Sequence, residues 1–231
     1  MTAILVIIVF IGLMMIGVPM FSVLGLTTAS YCLINEVTMS ALPYRMVTSL
    51  NNFTLLAIPF FMIAGEIMAE GNLTGRLVQL CRALIGFIRG GLAYVVVLLN
   101  IILAGMSGSA NADTAASAAI LLPAMDEEKY DRAWSGALLA ASGTMGPIIP
   151  PSIGFVVYAS IATISVDELF KAGVVPGFLM AIAFFVLVGI YAKRHNLPRD
   201  KRSTGKEIWA AFKKSILSLI MPVIILVSIF T

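Results

Sequence analysis

The sequence predicts an all-α membrane protein in which transmembrane helices are combined with a re-entrant hairpin and a broken helix. Of its 231 residues, 60% are hydrophobic and 12% are charged, whereas soluble domains have about 25% charged residues. Two apolar stretches are also interrupted near their centres by glycine, serine or proline. In hydrocarbon, such breaks are tolerated only where the freed backbone groups face protein, water or a ligand. The two breaks therefore mark the candidate functional site.

The amino-terminal part predicts membrane spans at residues 2–16, 19–34 and 53–69. Residues 17–19, Gly-Val-Pro, fit either a kink in one long helix or a turn between two short helices. The local sequence does not distinguish between these two possibilities. Residues 35–52 predict a polar connection. Residues 72–90 predict an amphipathic arm helix in the membrane interface, with leucines on one face and Arg82 and Arg89 on the other.

The first break lies within residues 91–125, at the Gly-Met-Ser-Gly-Ser-Ala sequence of residues 105–110. Each arm beside it has about 15 residues, which is short for a full crossing at ~1.5 Å per residue. A re-entrant hairpin fits better, with both of its ends on one face of the membrane. The small residues of the second arm favour close helix packing.

The second break lies within residues 132–160, at residues 146–152, Gly-Pro-Ile-Ile-Pro-Pro-Ser. Three prolines prevent a continuous helix, so we expect two half-helices joined by unwound backbone. Asp167, Glu168 and Lys171 predict a loop, and residues 174–193 predict another span. Discontinuous helices of this kind hold substrate and ions in secondary transporters.

Residues 194–207 form a basic linker, and residues 208–231 begin a further span. The positive-inside rule places this linker in the cytoplasm and favours a membrane surface over nucleic acid as its surroundings. The chain has a net charge of +3, and six of its basic residues crowd this region: Lys193, Arg194, Arg199, Lys201, Arg202 and Lys206.

Six motifs, in this order, resemble the large membrane subunit of tripartite ATP-independent periplasmic (TRAP) transporters. The match covers nearly the whole chain. The motifs occupy residues 56–66 (Leu-Ala-Ile-Pro-Phe-Phe-Met-Ile-Ala-Gly-Glu), 105–113, 122–125 (Leu-Pro-Ala-Met), 146–152, 169–173 (Leu-Phe-Lys-Ala-Gly) and 176–177 (Pro-Gly).

The resemblance implies two inverted repeats, each with a re-entrant hairpin and a broken helix, in an elevator-type transporter of the bacterial inner membrane. Residues 1–193 correspond to the first repeat and residues 208–231 to the opening span of the second, so we expect a truncated, split or partial chain. A cytoplasmic linker between inverted repeats requires an odd number of crossings in the first. This favours a turn at residues 17–19 and a periplasmic amino terminus.

The resemblance also implies sodium-coupled import of an organic acid, such as a C4-dicarboxylate or sialic acid. The implied partners are a small membrane subunit and a periplasmic solute-binding protein. Hard cations prefer hydroxyl and carbonyl oxygens, and an anion suits the amino-terminal ends of half-helices. We therefore expect sodium at Ser107, Ser109, Asn111, Gly146, Ile149 and Pro150, and the substrate at Asp113, Thr144 and Ser152.

Several of these residues also have ordinary structural interpretations. Ser107 and Ser109 can bond to helix carbonyls, Asn111 can cap a turn, and Asp113 can be a helix N-cap. An intramembrane serine protease is the alternative function, because residues 105–108 match its Gly-x-Ser-Gly pattern. It is disfavoured because a serine nucleophile needs a base within hydrogen-bond reach, and His195, in the basic linker, is the single histidine. We expect no enzymatic activity.

Overall fold

The computed structural model describes residues 2–60, 62–63 and 73–230, and this part of the chain is helical with no strand, as predicted. Residues 61 and 64–69 of the predicted third span, and residue 72 of the arm helix, lie outside the described residues. A 3-10 turn covers Phe53–Leu56, and residues 57–60 and 62–63 are also helical. The α-helices are α1 (Thr2–Met15), α2 (Met20–Ile34), α3 (Ala41–Leu50), α4 (Leu73–Ile85), α5 (Gly91–Ser107), α6 (Ala110–Glu127), α7 (Arg132–Gly143), α8 (Ile153–Ala162), α9 (Val166–Arg194) and α10 (Gly205–Phe230).

The chain divides into two compact units, Met1–Phe53 and Thr54–Thr231. In the first unit, α1 and α2 pack against each other as two separate short helices. Gly17 has a φ of 84°, a conformation that glycine adopts without a steric penalty, and Pro19 directly precedes α2. The structure therefore has a turn at residues 17–19 and not a kink.

Within the polar connection predicted at residues 35–52, the structure has a short helix, α3 (Ala41–Leu50), that the sequence analysis did not predict. Pro43 lies in the first turn of this helix, where a missing backbone N–H costs no helical hydrogen bond. Proline and the polar side chains around it therefore did not exclude a helix.

In the second unit, α5 forms the centre of the core. Most of its residues are buried, and α4, α6, α7, α9 and α10 all pack against it. A buried polar contact joins it to α7, where Asn100 Nδ2 donates to Ser142 Oγ at 2.6 Å. The central helix and the first half of the broken element are thus fixed to each other.

The arm helix α4 ends at Ile85, five residues before its predicted end. Residues 86–90 form turns, and Gly90 has a φ of 77°. Leu77 and Leu80, on the apolar face of α4, are buried, and the helix packs against α5 and α10. Part of the apolar face therefore contacts protein.

Helix α9 begins at Val166 instead of residue 174, so the loop predicted at Asp167, Glu168 and Lys171 was wrong. The two acids lie in its first turn, where they complement the helix dipole. Lys171 Nζ also pairs with Asp167 Oδ2 at 2.6 Å. Among the described residues, α9 is the helix long and apolar enough to cross a membrane, while α1, α2, α5 and α8 are apolar but shorter.

Candidate functional site

The tip of the hairpin between α5 and α6 consists of residues 107–109, Ser-Gly-Ser. Gly108 ends α5 in the left-handed region, with a φ of 61°, which glycine adopts most readily. Ser109 is extended and caps α6, because its side chain accepts a hydrogen bond from the backbone N–H of Ala112. The backbone N–H of Ser109 in turn donates to Ser107 Oγ at 3.0 Å. These bonds order a sharp reversal of the chain.

Asp113 is buried behind this tip and is 2% exposed. Its Oδ1 accepts a hydrogen bond from Ser107 Oγ at 2.5 Å, whereas its Oδ2 has no hydrogen-bond partner among the described residues. The interpretation of Asp113 as an N-cap was wrong, because Ser109 holds that position. A buried carboxylate oxygen without a partner carries a large desolvation cost, which a bound cation would offset.

The break between α7 and α8 is a series of turns that Ser152 closes. Ser152 Oγ donates to the carbonyl oxygen of Pro147 at 2.6 Å and accepts from the N–H of Phe155, which caps α8. Within the part of the chain that the structure describes, the carbonyls of Gly146, Ile149 and Pro150 accept no hydrogen bond. Unwound carbonyls of this kind are available to a hard cation.

The hairpin tip and the break are in contact, as the sequence predicted. A Cβ atom added to Gly146 would lie 2.6 Å from Asp113 Oδ2 and 3.1 Å from the carbonyl carbon of Ser109. On the other side, a Cβ atom on Gly108 would lie 2.6 Å from the carbonyl oxygen of Pro151. Glycine at positions 108 and 146 therefore permits the approach of the two interrupted elements.

The structure brings most of the predicted site residues together and leaves two at its edge. Ser107, Ser109, Asp113 and Gly146 meet directly at the tip, with Ser152 in the facing break. Asn111 is exposed in the first turn of α6. Thr144 is also exposed, and its hydroxyl donates to the carbonyl oxygen of Ala141 at 2.6 Å.

A cluster of three charged residues was missed in the sequence. Arg82 of α4 donates from Nε to Asp200 Oδ2 at 2.6 Å and from Nη2 to Glu128 Oε1 at 2.5 Å. The hydrogen bond to Asp200 raises the pKa of Arg82, and burial raises the pKa of Glu128 despite the opposing charge of Arg82. The cluster joins α4, the end of α6 and the basic linker. The sequence feature that could have indicated this cluster is Asp200, an isolated acid among basic residues.

The structure does not bring together the serine and the histidine that the alternative function, an intramembrane serine protease, would require. His195 stacks on Tyr191 at 4.1 Å between ring centroids, whereas the hydroxyl of Ser107 donates to Asp113 and accepts from the backbone of Ser109. Among the described residues, no three histidine, cysteine, aspartate or glutamate side chains gather to hold a metal ion. A cation at the tip would therefore depend on hydroxyl and carbonyl oxygens beside one carboxylate.

The fold and the site place this chain in the class of helical membrane proteins whose apolar helices are interrupted at breaks that contact each other. The family model described as "Tripartite ATP-independent periplasmic transporter, DctM component" matches residues 7–231, and the chain belongs to this family. Its members are transport proteins and not enzymes.

Three relatives illustrate the similarity. A putative TRAP transporter large permease protein of Haemophilus influenzae is 44% identical over 185 residues, covering 80% of this chain and 46% of the relative. The 2,3-diketo-L-gulonate TRAP transporter large permease protein YiaN of Escherichia coli is 45% identical, covering 78% and 43%. The sialic acid TRAP transporter large permease protein SiaM of Vibrio cholerae is 34% identical, covering 95% and 52%. The chain spans about half the length of the curated relatives it matches.

Proposed function

We propose that this chain forms the first repeat of the large membrane subunit of a sodium-coupled transporter that imports an organic acid. The observation that carries the proposal is the contact between the hairpin tip and the break, with the unpaired Oδ2 of Asp113 between them. Membership of the TRAP family supports transport as the activity. In this proposal, the small membrane subunit and a periplasmic binding protein complete the transporter.

The site chemistry supports sodium at the contact between tip and break. Sodium exchanges its water shell for oxygen ligands, and the free carbonyls of Gly146, Ile149 and Pro150 lie on the break that faces the tip. The carboxylate of Asp113 adds a negative charge close to Gly146. The sequence predicted Asp113 as a substrate residue. We propose instead that Asp113 binds the cation, because a buried carboxylate would repel an acidic substrate.

The substrate carboxylate is proposed to lie at the amino-terminal end of α8, because the positive dipole end of a helix suits an anion and the corresponding end of α6 carries Asp113 in its first turn. Thr144 is exposed and remains a candidate, whereas Ser152 is 0% exposed and its hydroxyl is bonded to Pro147 and Phe155, so it would position the start of α8. The relatives named for sialic acid and 2,3-diketo-L-gulonate both carry carboxylic acids. They support the class of organic acids, with C4-dicarboxylates as another expected cargo.

The proposed movement is of the elevator type, in the bacterial inner membrane. The α5–α6 hairpin would be re-entrant and would move together with α7, against which it packs, and with α8. The arm helix α4 would connect this moving part to the scaffold, and the linker at residues 194–207 would lie in the cytoplasm.

Sodium-dependent uptake by the assembled transporter, with its binding protein and a panel of organic acids, tests this proposal. We expect Asp113→Asn to raise the sodium concentration for half-maximal uptake by about tenfold, which corresponds to ~1.4 kcal/mol. Glu168→Gln is the matched control, because Glu168 is an exposed acid in the first turn of α9. Unchanged sodium activation in Asp113→Asn would contradict the cation site.

A further inference from the structure

Two apolar grooves run along opposite sides of one ridge on α9. The first groove has a volume of about 710 Å³ and lies between α9 and Trp134 of α7. The second has a volume of about 530 Å³ and lies between α9 and Tyr94 of α5. Val186 and Ile190 line both grooves and form the ridge between them.

Stacked aromatic rings fix the walls of both grooves. In the first, Trp134 stacks on Tyr191 at 3.9 Å between ring centroids, and the planes are only 6° apart. In the second, Tyr94 stacks on Phe185 at 5.9 Å. Large rings held by their neighbours lose little further freedom when a ligand enters, so the grooves are preorganised.

Each groove ends at a basic residue near the carboxyl end of α9. Lys193 lines the end of the second groove, and Arg194 and His195 line the end of the first. Lys193 and Arg194 are exposed and form no salt bridge with any described residue. Asp131 is the acid beside Tyr191, and its carboxylate already caps α7 by accepting from the N–H of Trp134.

We propose that these two grooves bind one diacyl phospholipid with an anionic headgroup. One acyl chain lies on each side of the Val186 and Ile190 ridge, and the phosphate lies between Lys193 and Arg194. The two parallel apolar channels match two chains, and the adjacent cations complement one acidic headgroup. This inference requires α9 to lie in a bilayer, and it is independent of sodium coupling and of the transported acid.

Native mass spectrometry of the assembled transporter, reconstituted with equal phosphatidylglycerol and phosphatidylcholine, tests the headgroup site. We expect preferential retention of phosphatidylglycerol and a roughly tenfold loss of it in the double variant Lys193→Gln, Arg194→Gln. The matched control is Lys201→Gln, Lys206→Gln, which removes two exposed linker charges that line neither groove. Equal losses in the two double variants, or equal retention of both lipids, would overturn the site.

A second pair of variants tests the grooves themselves. Leu187→Trp should fill the first groove and displace the lipid, whereas Leu179→Trp, also exposed on α9, should leave retention unchanged because Leu179 lines neither groove. A photoreactive residue at position 187 should label lipid. Labelling of protein alone, or equal retention in both tryptophan variants, would show that another occupant covers this surface.

Discussion

At the scale of single residues, the site depends on glycines, which have no side chain, as much as on its polar side chains. Gly146 places bare backbone against Asp113 and Ser109, so the unpaired carboxylate oxygen can lie beside the freed carbonyls of the break. A glycine inside an apolar run does not reveal such a neighbour from sequence alone. The motif around Gly146 identified the break, but the close approach of Asp113 required the tertiary structure.

Gly146→Ala should separate the hairpin tip from the break. The added methyl group would lie 2.6 Å from Asp113 Oδ2, and overpacking of this kind costs about 1–3 kcal/mol of unfolding free energy. We expect a lower thermal unfolding midpoint in detergent, together with weaker sodium activation of uptake.

Gly136→Ala is the matched control for this prediction. Gly136 lies in α7, and a Cβ atom there would have nothing within 4 Å. This variant should be neutral or more stable by up to about 1 kcal/mol, because alanine favours a helix. Equal stability of the Gly146 and Gly136 variants would contradict the tight contact.

At the scale of helices, the sequence predicted the interrupted elements well. Residues 105–110 and 146–152 break the helices where expected, since glycine in the left-handed region and clustered prolines act through local backbone geometry. The start of α9 was misplaced because Asp167 and Lys171 resembled a polar loop. In the structure, their charges complement the helix dipole and each other, an effect that depends on whether a helix already exists.

The Arg82 cluster was beyond local sequence analysis for a different reason. Arg82 and Asp200 are 118 positions apart, and no periodic pattern pairs such distant residues. Their ion pair holds the linker against α4, and two backbone bonds reinforce it, from Gly90 N–H to the Pro198 carbonyl at 2.8 Å and from Asp200 N–H to the Gly86 carbonyl at 3.1 Å. The linker is therefore a packed element of this unit.

Arg82→Gln should release the linker from α4 and from the end of α6. Loss of the shared cation leaves Glu128 and Asp200 without their partner, which we expect to lower the unfolding free energy by about 1–3 kcal/mol. Limited trypsin digestion should also cut faster at Arg199 and Lys201.

Arg89→Gln provides the comparison for that experiment. Arg89 is exposed, and its guanidinium makes a single longer bond of 3.3 Å to Asn196 Oδ1, so its loss should change stability by less than about 0.5 kcal/mol. If both arginine variants were cleaved at the same rate, the cluster would not control docking of the linker.

At the scale of the whole second unit, the contacts of the linker bear on how the chain crosses the membrane. Glu128 at the end of α6, residues 86–90 before α5 and Asp200 after α9 all lie together. Both ends of the hairpin are thus beside the carboxyl end of α9. The 29 residues of α9 extend about 44 Å at 1.5 Å per residue, which exceeds a hydrocarbon core of ~30 Å.

This arrangement predicts that Lys129 and Arg199 face one side of the membrane and Glu168 faces the other. Lys129→Cys and Arg199→Cys should react with a membrane-impermeant thiol reagent only after intact cells are permeabilised, because the positive-inside rule places the basic linker in the cytoplasm. Glu168→Cys should react before permeabilisation. The parent protein controls for background, since Cys81 is fully buried and Cys32 is 6% exposed. Labelling of Lys129→Cys and Glu168→Cys from the same side would require the hairpin to cross the bilayer completely, and would overturn the re-entrant assignment.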